Sequence, residues 1–131
     1  MTRRFLVTGG AGYVGSHLVA ALRARGDAVV VFDNLRTGHR AAVPADVRLV
    51  VADLADHAAV DATLGDGPFD GVFHFAGLTQ VGESMREPYR YLYDNVATGI
   101  ALVDACVRHK VPRFVLSSTA ALFGMPDEVP I

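Results

Sequence analysis

The sequence predicts an α/β fold, a doubly wound parallel sheet with helices on both faces. Three observations predict it. Short apolar runs rich in β-branched residues recur along the chain, stretches with helical spacing separate them, and the first run ends in a cluster of glycines. Continuous apolar runs mark strands buried on both faces, as in a parallel sheet covered by its crossover helices. Right-handed crossovers then put the first strand near the middle of the sheet.

The elements follow in order. Phe5-Leu6-Val7 is the first strand and stops at Thr8-Gly9-Gly10. From Val14 to Arg25 the apolar residues Val14, Leu18, Ala21 and Leu22 repeat at helical spacing, and Gly26 closes the helix. Ala28 to Phe32 is a second buried strand ending at Asp33. Val47 to Val51 is a third, running on to Asp53, and a short helix crosses Ala58 to Leu64. Val72 to Phe75 is a fourth strand, closed by Ala76-Gly77. Pro88 opens a long helix that ends near Lys110. That helix carries Leu92, Val96, Ile100, Val103 and Val107 on one face, a stripe that reads as core. Phe114-Val115-Leu116 is the fifth strand, and Ala120 to Ile131, with two prolines, reads as loop. The chain is expected to stop partway through a larger fold, which leaves the fifth strand as an exposed edge and lowers solubility.

At 131 residues the chain suffices for one domain with a sizeable core, and residues 1–131 read as a single dinucleotide-binding unit. A formal net charge of −2 leaves no electrostatic footprint for nucleic acid or anionic lipid. The apolar stretch near the N-terminus is too short for a signal peptide or a membrane span, so the expectation is a soluble, cytoplasmic protein without a membrane partner. A single cysteine, Cys106, excludes an internal disulfide and a cysteine metal cluster; its apolar helical register suits a buried, inert thiol. The five histidines share no metal-ligand spacing, so no metal site is expected.

The glycines carry the chemistry. Gly10-Ala11-Gly12-Tyr13-Val14-Gly15 fits G-x-G-x-x-G, and Gly9, Gly12 and Gly15 fit the G-x-x-G-x-x-G spacing. Such a loop makes a tight turn at a strand end and a backbone that a pyrophosphate can approach. It also supplies a small residue where helix meets sheet. The following helix presents free N–H groups and a positive dipole end to the phosphates. The loop follows a strand, opens a helix, and precedes an acid, Asp33, at the end of the next strand; in that context the pattern is a Rossmann fingerprint. Asp33 can accept from the adenosine ribose hydroxyls, and its charge opposes a 2′-phosphate, which favours NAD over NADP. Arg36 and Arg40 stand near enough to suit that phosphate instead, and Asp33 can also serve as a turn residue. A P-loop is excluded, because no lysine follows the glycines and the only lysine is Lys110.

Taken together, Val7-Thr8-Gly9-Gly10-Ala11-Gly12-Tyr13-Val14-Gly15-Ser16-His17, Phe32-Asp33-Asn34-Leu35, Asp53-Leu54 and His74-Phe75-Ala76-Gly77-Leu78 resemble the extended short-chain dehydrogenase/reductase family. Val81-Gly82-Glu83-Ser84, Tyr93-Asp94-Asn95-Val96 and the run Leu116 to Gly124 extend the likeness, which is strongest to its UDP-glucose 4-epimerase branch. The resemblance implies that Gly9, Gly12, Tyr13, Val14 and Gly15 wrap the pyrophosphate of NAD and that Asp33 and Asn34 hold the adenosine ribose. It implies that Asp53 and Leu54 border the adenine, that Phe75, Ala76 and Gly77 let the cofactor lie against the fourth strand, and that Asn95 reaches in from the long helix. Ser117 is implied beside the nicotinamide ribose, and Thr119 as the catalytic hydroxyl that bonds the reacting sugar oxygen. Read without the resemblance, Asp53 is a strand-end turn, Asn95 a solvated helix residue, and Ser117 to Thr119 a polar strand terminus. The resemblance further implies a UDP-sugar substrate for a full-length form and a homodimer through the long helix.

Two departures refine it. Where related dehydratases carry acids after the serine/threonine, this chain has Ala120 and Ala121; where close relatives often have lysine, it has Thr79. The family's reaction also uses a Tyr-x-x-x-Lys pair, in which the lysine lowers the tyrosine pKa. The residue four before Lys110 is Cys106, and Tyr13, Tyr89, Tyr91 and Tyr93 are not followed by lysine at that spacing. The chain alone is therefore expected to be inactive and to bind NAD weakly. The alternatives are a non-catalytic dinucleotide-binding module and a fragment of another NAD-dependent nucleotide-sugar enzyme.

Overall fold

The computed structural model describes residues 2–125 and residue 128. Five parallel strands form one sheet in the order β3-β2-β1-β4-β5: β1 (Arg4–Thr8), β2 (Ala28–Asp33), β3 (Arg48–Val51), β4 (Gly71–His74) and β5 (Phe114–Leu116). Each predicted strand is present within a residue of its expected bounds, apart from slightly longer ends on β1 and β2. The first strand sits centrally, and the chain winds outward from it in both directions, as the doubly wound expectation requires.

Alternation along the strands splits the core into two layers. Phe5, Val7, Val29 and Val31 face α1 (Tyr13–Ala24), where Val19 and Leu22 meet them. Leu6, Val30, Phe32 and Val72 face the other way, toward α2 (His57–Gly65) and the long helix, meeting Val60, Leu64, Leu102, Ala105 and Cys106. Each fully buried side chain of this size contributes roughly 1.5–3 kcal/mol relative to exposure, so both layers are needed to offset the entropy of ordering the chain. In α1 the inward residues are Gly15, Val19 and Leu22, whereas Val14, read as part of the apolar repeat, is 57% exposed. It stands in the first turn, beyond the reach of the sheet.

The long helix is composite. Val81–Arg86 forms a short α3 that the sequence reading had not assigned to any element. Pro88–Leu92 (α4) then passes through a π turn, Tyr93–Ala97, into Thr98–Arg108 (α5). The face read as core is the wrong one. Leu92, Val96, Ile100, Val103 and Val107 all face solvent, with Ile100 66% and Val107 70% exposed. The buried residues are Tyr91, Thr98, Leu102, Ala105 and Cys106; Leu102, Ala105 and Cys106 pack in the core layer on the sheet, and Tyr91 donates to Glu83 of α3. Both sets have helical spacing, and the small Ala105 and Cys106 lie inward, where they let the helix approach the sheet closely. The end of the chain holds a 3-10 turn at Ala120–Phe123 where loop was expected, and the rest of that stretch, apart from Gly124, Met125 and Glu128, lies outside the described residues. Among the described residues β5 is an edge strand, with Val115 and Leu116 about half exposed.

Two buried polar side chains pair between adjacent strands. The Thr8 hydroxyl and His74 Nδ1 share a hydrogen bond of 2.6 Å inside the sheet. Burial pushes the His74 imidazole below its ordinary value, so the folded chain holds it neutral. The unfolded chain then binds a proton more readily, and stability is lost as pH falls from about 6.5 through the lowered folded value. Denaturant melts at pH 7.5 and 5.5 should show this loss, and His74→Gln should flatten it. The Cys106 thiol is buried in α5 and pushed up to about 11, as an inert thiol requires.

Candidate functional site

The turn after β1 builds the centre of the site. Gly9 has φ +70°, and its N–H donates to the Phe32 carbonyl at 2.9 Å. A Cβ on Gly9 would stand 2.5 Å from the Ala76 nitrogen, so the glycine lets β1 and the loop after β4 meet backbone to backbone. Gly12 donates to the Gly9 carbonyl at 3.1 Å and stands at the N-terminus of α1. Gly15, one turn on, lies so close to the loop that a Cβ would be 2.2 Å from the Gly9 oxygen. The start of α1 has no side-chain cap and no acid in its first turn. Its N–H groups and positive dipole end remain available to an anion. Tyr13 and Val14 turn their side chains to solvent, so what they offer the site is backbone N–H.

The ends of β2 and β3 form an acid-lined wall. Asp33 is 7% exposed, and its two oxygens accept from Ala11 N–H at 2.9 Å and Leu35 N–H at 2.8 Å. It therefore ties the glycine loop to β2 as well as facing the cleft, and each oxygen keeps a further acceptor position. Asn34 Nδ2 donates to Asp53 at 2.8 Å while its Oδ1 accepts from Arg36 N–H at 3.0 Å. The Ala55 N–H beside Asp53, followed by the Asn34 amide, holds the Asp53 carboxyl below the usual carboxylate range.

The opposite wall is the segment after β4. Phe75 N–H donates to the Thr8 carbonyl at 3.0 Å, aligning Phe75, Ala76 and Gly77 along the glycine loop. Asn95, in the π turn, uses both ends of its amide on one residue: Oδ1 accepts from Leu78 N–H at 2.7 Å and Nδ2 donates to the Leu78 carbonyl at 2.9 Å. It ties this wall to the long helix. A π turn is a common device for aiming one side chain out of a helical register at such a place.

Of the residues singled out from the sequence, Gly9, Gly12, Asp33, Asn34, Asp53, Leu54, Phe75, Ala76 and Gly77 line one cleft beyond the carboxyl ends of β1 to β4. Open parallel sheets bind ligands at this kind of topological switch point. Tyr13, Val14, Gly15, Asn95, Ser117 and Thr119 are outside its lining. Gly15 lies under the loop and Asn95 pairs with Leu78. Ser117, whose N–H donates to the His74 carbonyl at 3.0 Å, and Thr119 are exposed after the edge strand. Sequence reasoning missed Asp94 and Thr98 as lining residues, although Asp94 adjoins Asn95 in a singled-out run. Arg36 also lines the cleft; Arg40 does not and lies in a 3-10 turn, Arg40–Ala42.

The geometry suits an extended ligand with a diphosphate at its centre and a hydroxyl-bearing group beside an acid. The uncapped helix end offers N–H donors suited to the former, and Asp33 an acceptor suited to the latter. A glycine cradle that a Cβ would fill separates them. Among the described residues no group of three His, Cys, Asp or Glu side chains could hold a metal ion, and no helix is long and apolar enough to cross a membrane.

Comparison with known proteins gives a consistent result. The pattern of the NAD dependent epimerase/dehydratase family matches residues 5–131. The UDP-glucose 4-epimerase of Corynebacterium glutamicum is 51% identical over 128 residues, covering 98% of this chain and 38% of that protein. The crystal structure of UDP-glucose 4-epimerase from Brucella ovis in complex with NAD superposes with a TM-score of 0.94 at 38% identity, over 99% of this chain and 40% of that one. The enzyme from Bifidobacterium longum in complex with NAD+ and UDP gives 0.90 at 31% identity, over 98% and 40% respectively. The chain thus spans about two fifths of the length of the relatives it matches.

Proposed function

The chain belongs to the NAD dependent epimerase/dehydratase family, and on that premise we propose that it is the NAD-binding part, residues 1–131, of a UDP-glucose 4-epimerase. In this reading a full-length form interconverts UDP-galactose and UDP-glucose in the cytoplasm by hydride transfer at C4. The observation that carries the proposal is the glycine loop wired to Asp33, with an uncapped α1 N-terminus above it.

The N–H groups of Tyr13, Val14 and Gly15 hold the pyrophosphate, while Gly12 turns the chain into the helix and Gly9 keeps the loop low enough for it to approach. Asp33 and Asn34 take the adenosine ribose, Asp53 and Leu54 the adenine. Phe75, Ala76 and Gly77 form the flat wall, with Asn95 holding it in position through Leu78. Ser117 lies toward the nicotinamide ribose, and Thr119 bonds the reacting sugar oxygen, a hydroxyl being able both to donate and to accept as that oxygen changes charge. When bound, NAD supplies the acceptor for the substrate's hydride. The proton from the sugar 4-hydroxyl needs the family's tyrosine, and these 131 residues provide no Tyr-x-x-x-Lys pair.

Calorimetric titration of the purified chain should give weak, saturable NAD binding, because the adenosine half of the site is the better walled. The same protein should show no turnover of UDP-galactose. Turnover by the chain alone would overturn the assigned division of labour, and no NAD binding at all would overturn the cofactor reading. Tight binding without turnover would favour the non-catalytic dinucleotide-binding module.

The outward stripe Leu92, Val96, Ile100, Val103 and Val107 supports a homodimer through this helix. Ile100→Glu with Val107→Glu should raise the dissociation constant of self-association by at least about tenfold, read by sedimentation, while leaving NAD binding unchanged. A single monomeric species for the unsubstituted chain at all concentrations would remove this proposal.

A further inference from the structure

We infer that Arg36 is an adenine-positioning residue, its guanidinium strapped across the adenosine end of the cleft by acids on either side. The inference rests on the cofactor reading above and goes beyond it. Arg36 follows Leu35, whose φ of 58° turns the chain sharply after β2, and its own N–H is fixed on Asn34 Oδ1 at 3.0 Å. From there the side chain spans the cleft. One terminal nitrogen is 3.4 Å from Asp94 Oδ2 in the π turn, and the other is 3.9 Å from Asp53 Oδ2 beyond β3. Asp94 also receives Arg90 Nε at 3.8 Å, so it is held from its own helix. Arg36, Asp53 and Asp94 all line the cleft, beside the apolar surface of Ala52 and Leu54.

The chemistry follows from that placement. One terminal N–H of the guanidinium is given to Asp94 and the other terminal nitrogen stands at ion-pair distance from Asp53, which turns the edges of the group toward the two acids and leaves its planar face open to a ligand. An adenine ring offers a π surface for such a face, and an arginine fixed at its edges stacks with less loss of side-chain freedom than a free one. The same pairing argues against a 2′-phosphate receptor. The charge of Arg36 is already shared between Asp53 and Asp94, and Asp33 adds a further negative group on that side of the cleft. Arg36 thus acts in cofactor affinity and not in selecting NADP, the role its position in sequence also suits.

The test is a set of calorimetric titrations of the 131-residue protein and its R36A, R36K and D94N variants with AMP, NAD and NADP. R36A should weaken AMP and NAD by the same factor, about fivefold to tenfold, with unchanged thermal melting. R36K, which keeps the charge but loses the planar fork, should recover little of that loss, and D94N should fall between R36A and the unsubstituted protein. NADP should bind more weakly than NAD throughout. Unchanged AMP affinity in R36A overturns the inference, and so does full rescue by lysine or a loss confined to NADP. An unsubstituted protein that binds neither AMP nor NAD removes the cofactor reading and this inference with it.

Discussion

Gly15→Ala is expected to abolish NAD binding and to lower stability by about 3 kcal/mol, the upper end for an overpacked buried site. The added methyl would lie 2.2 Å from the Gly9 oxygen and 2.8 Å from the Gly10 Cα, both main-chain atoms. No rotamer relieves a backbone clash, so α1 must move away from the turn. That movement separates the helix N–H groups from the place where the loop presents an anion, and affinity falls together with stability. For a chain of this size the melting temperature should drop by about 10 °C. Thermal melts and NAD titration of the same preparation check both effects. A variant that melts like the parent and still binds NAD would show that the loop tolerates what the geometry forbids. Gly12→Ala is the control in kind, since its Cβ would meet only the Gly9 oxygen, at 3.3 Å.

Asp33→Ala should have the second largest effect. The carboxylate faces the cleft, and inside the fold it also accepts from Ala11 and Leu35 N–H groups. Truncation leaves two donors in a largely dry site without their partner. An unsatisfied buried polar group costs about 1–3 kcal/mol, so a loss of about 3 kcal/mol is expected. NAD affinity should fall by at least about tenfold as well, because the ribose loses a charged acceptor. Asp33→Asn should not rescue it. An amide oxygen can accept one of the two N–H groups, but its amino group then faces the other donor. If Asn restores stability and binding together, the two backbone bonds are not what the acid is for.

These two residues differ in how far the sequence exposed their roles. Gly15 is legible because the cause is local: helix packs on strand within one turn of the loop, and spacing alone announces it. Asp33 is half legible. Its position at the end of an apolar strand marks it as a ligand acceptor, while the bond to Ala11 spans 22 residues and has no signature in either segment. Asn95 is legible as a polar residue beside an apolar stripe, while its two bonds to Leu78 depend on a π turn, which spacing arguments based on a regular helix cannot foresee.

Five strands, their parallel arrangement, the glycine turn and the family are legible in the order of the residues alone. Buried parallel strands must be apolar along their whole length, and the glycine turn follows from chain geometry at a strand end; both are written in consecutive residues. Which stripe of the long helix is buried and which meets solvent emerges only when the helix packs. Two apolar faces with the same helical spacing cannot be ranked without knowing how closely the helix approaches its neighbour, and small Ala105 and Cys106 against the sheet leave Ile100 and Val107 outside. The same holds for the meeting of Arg36 with Asp94, 58 residues away. A charge names no partner in advance; packing brings one to it.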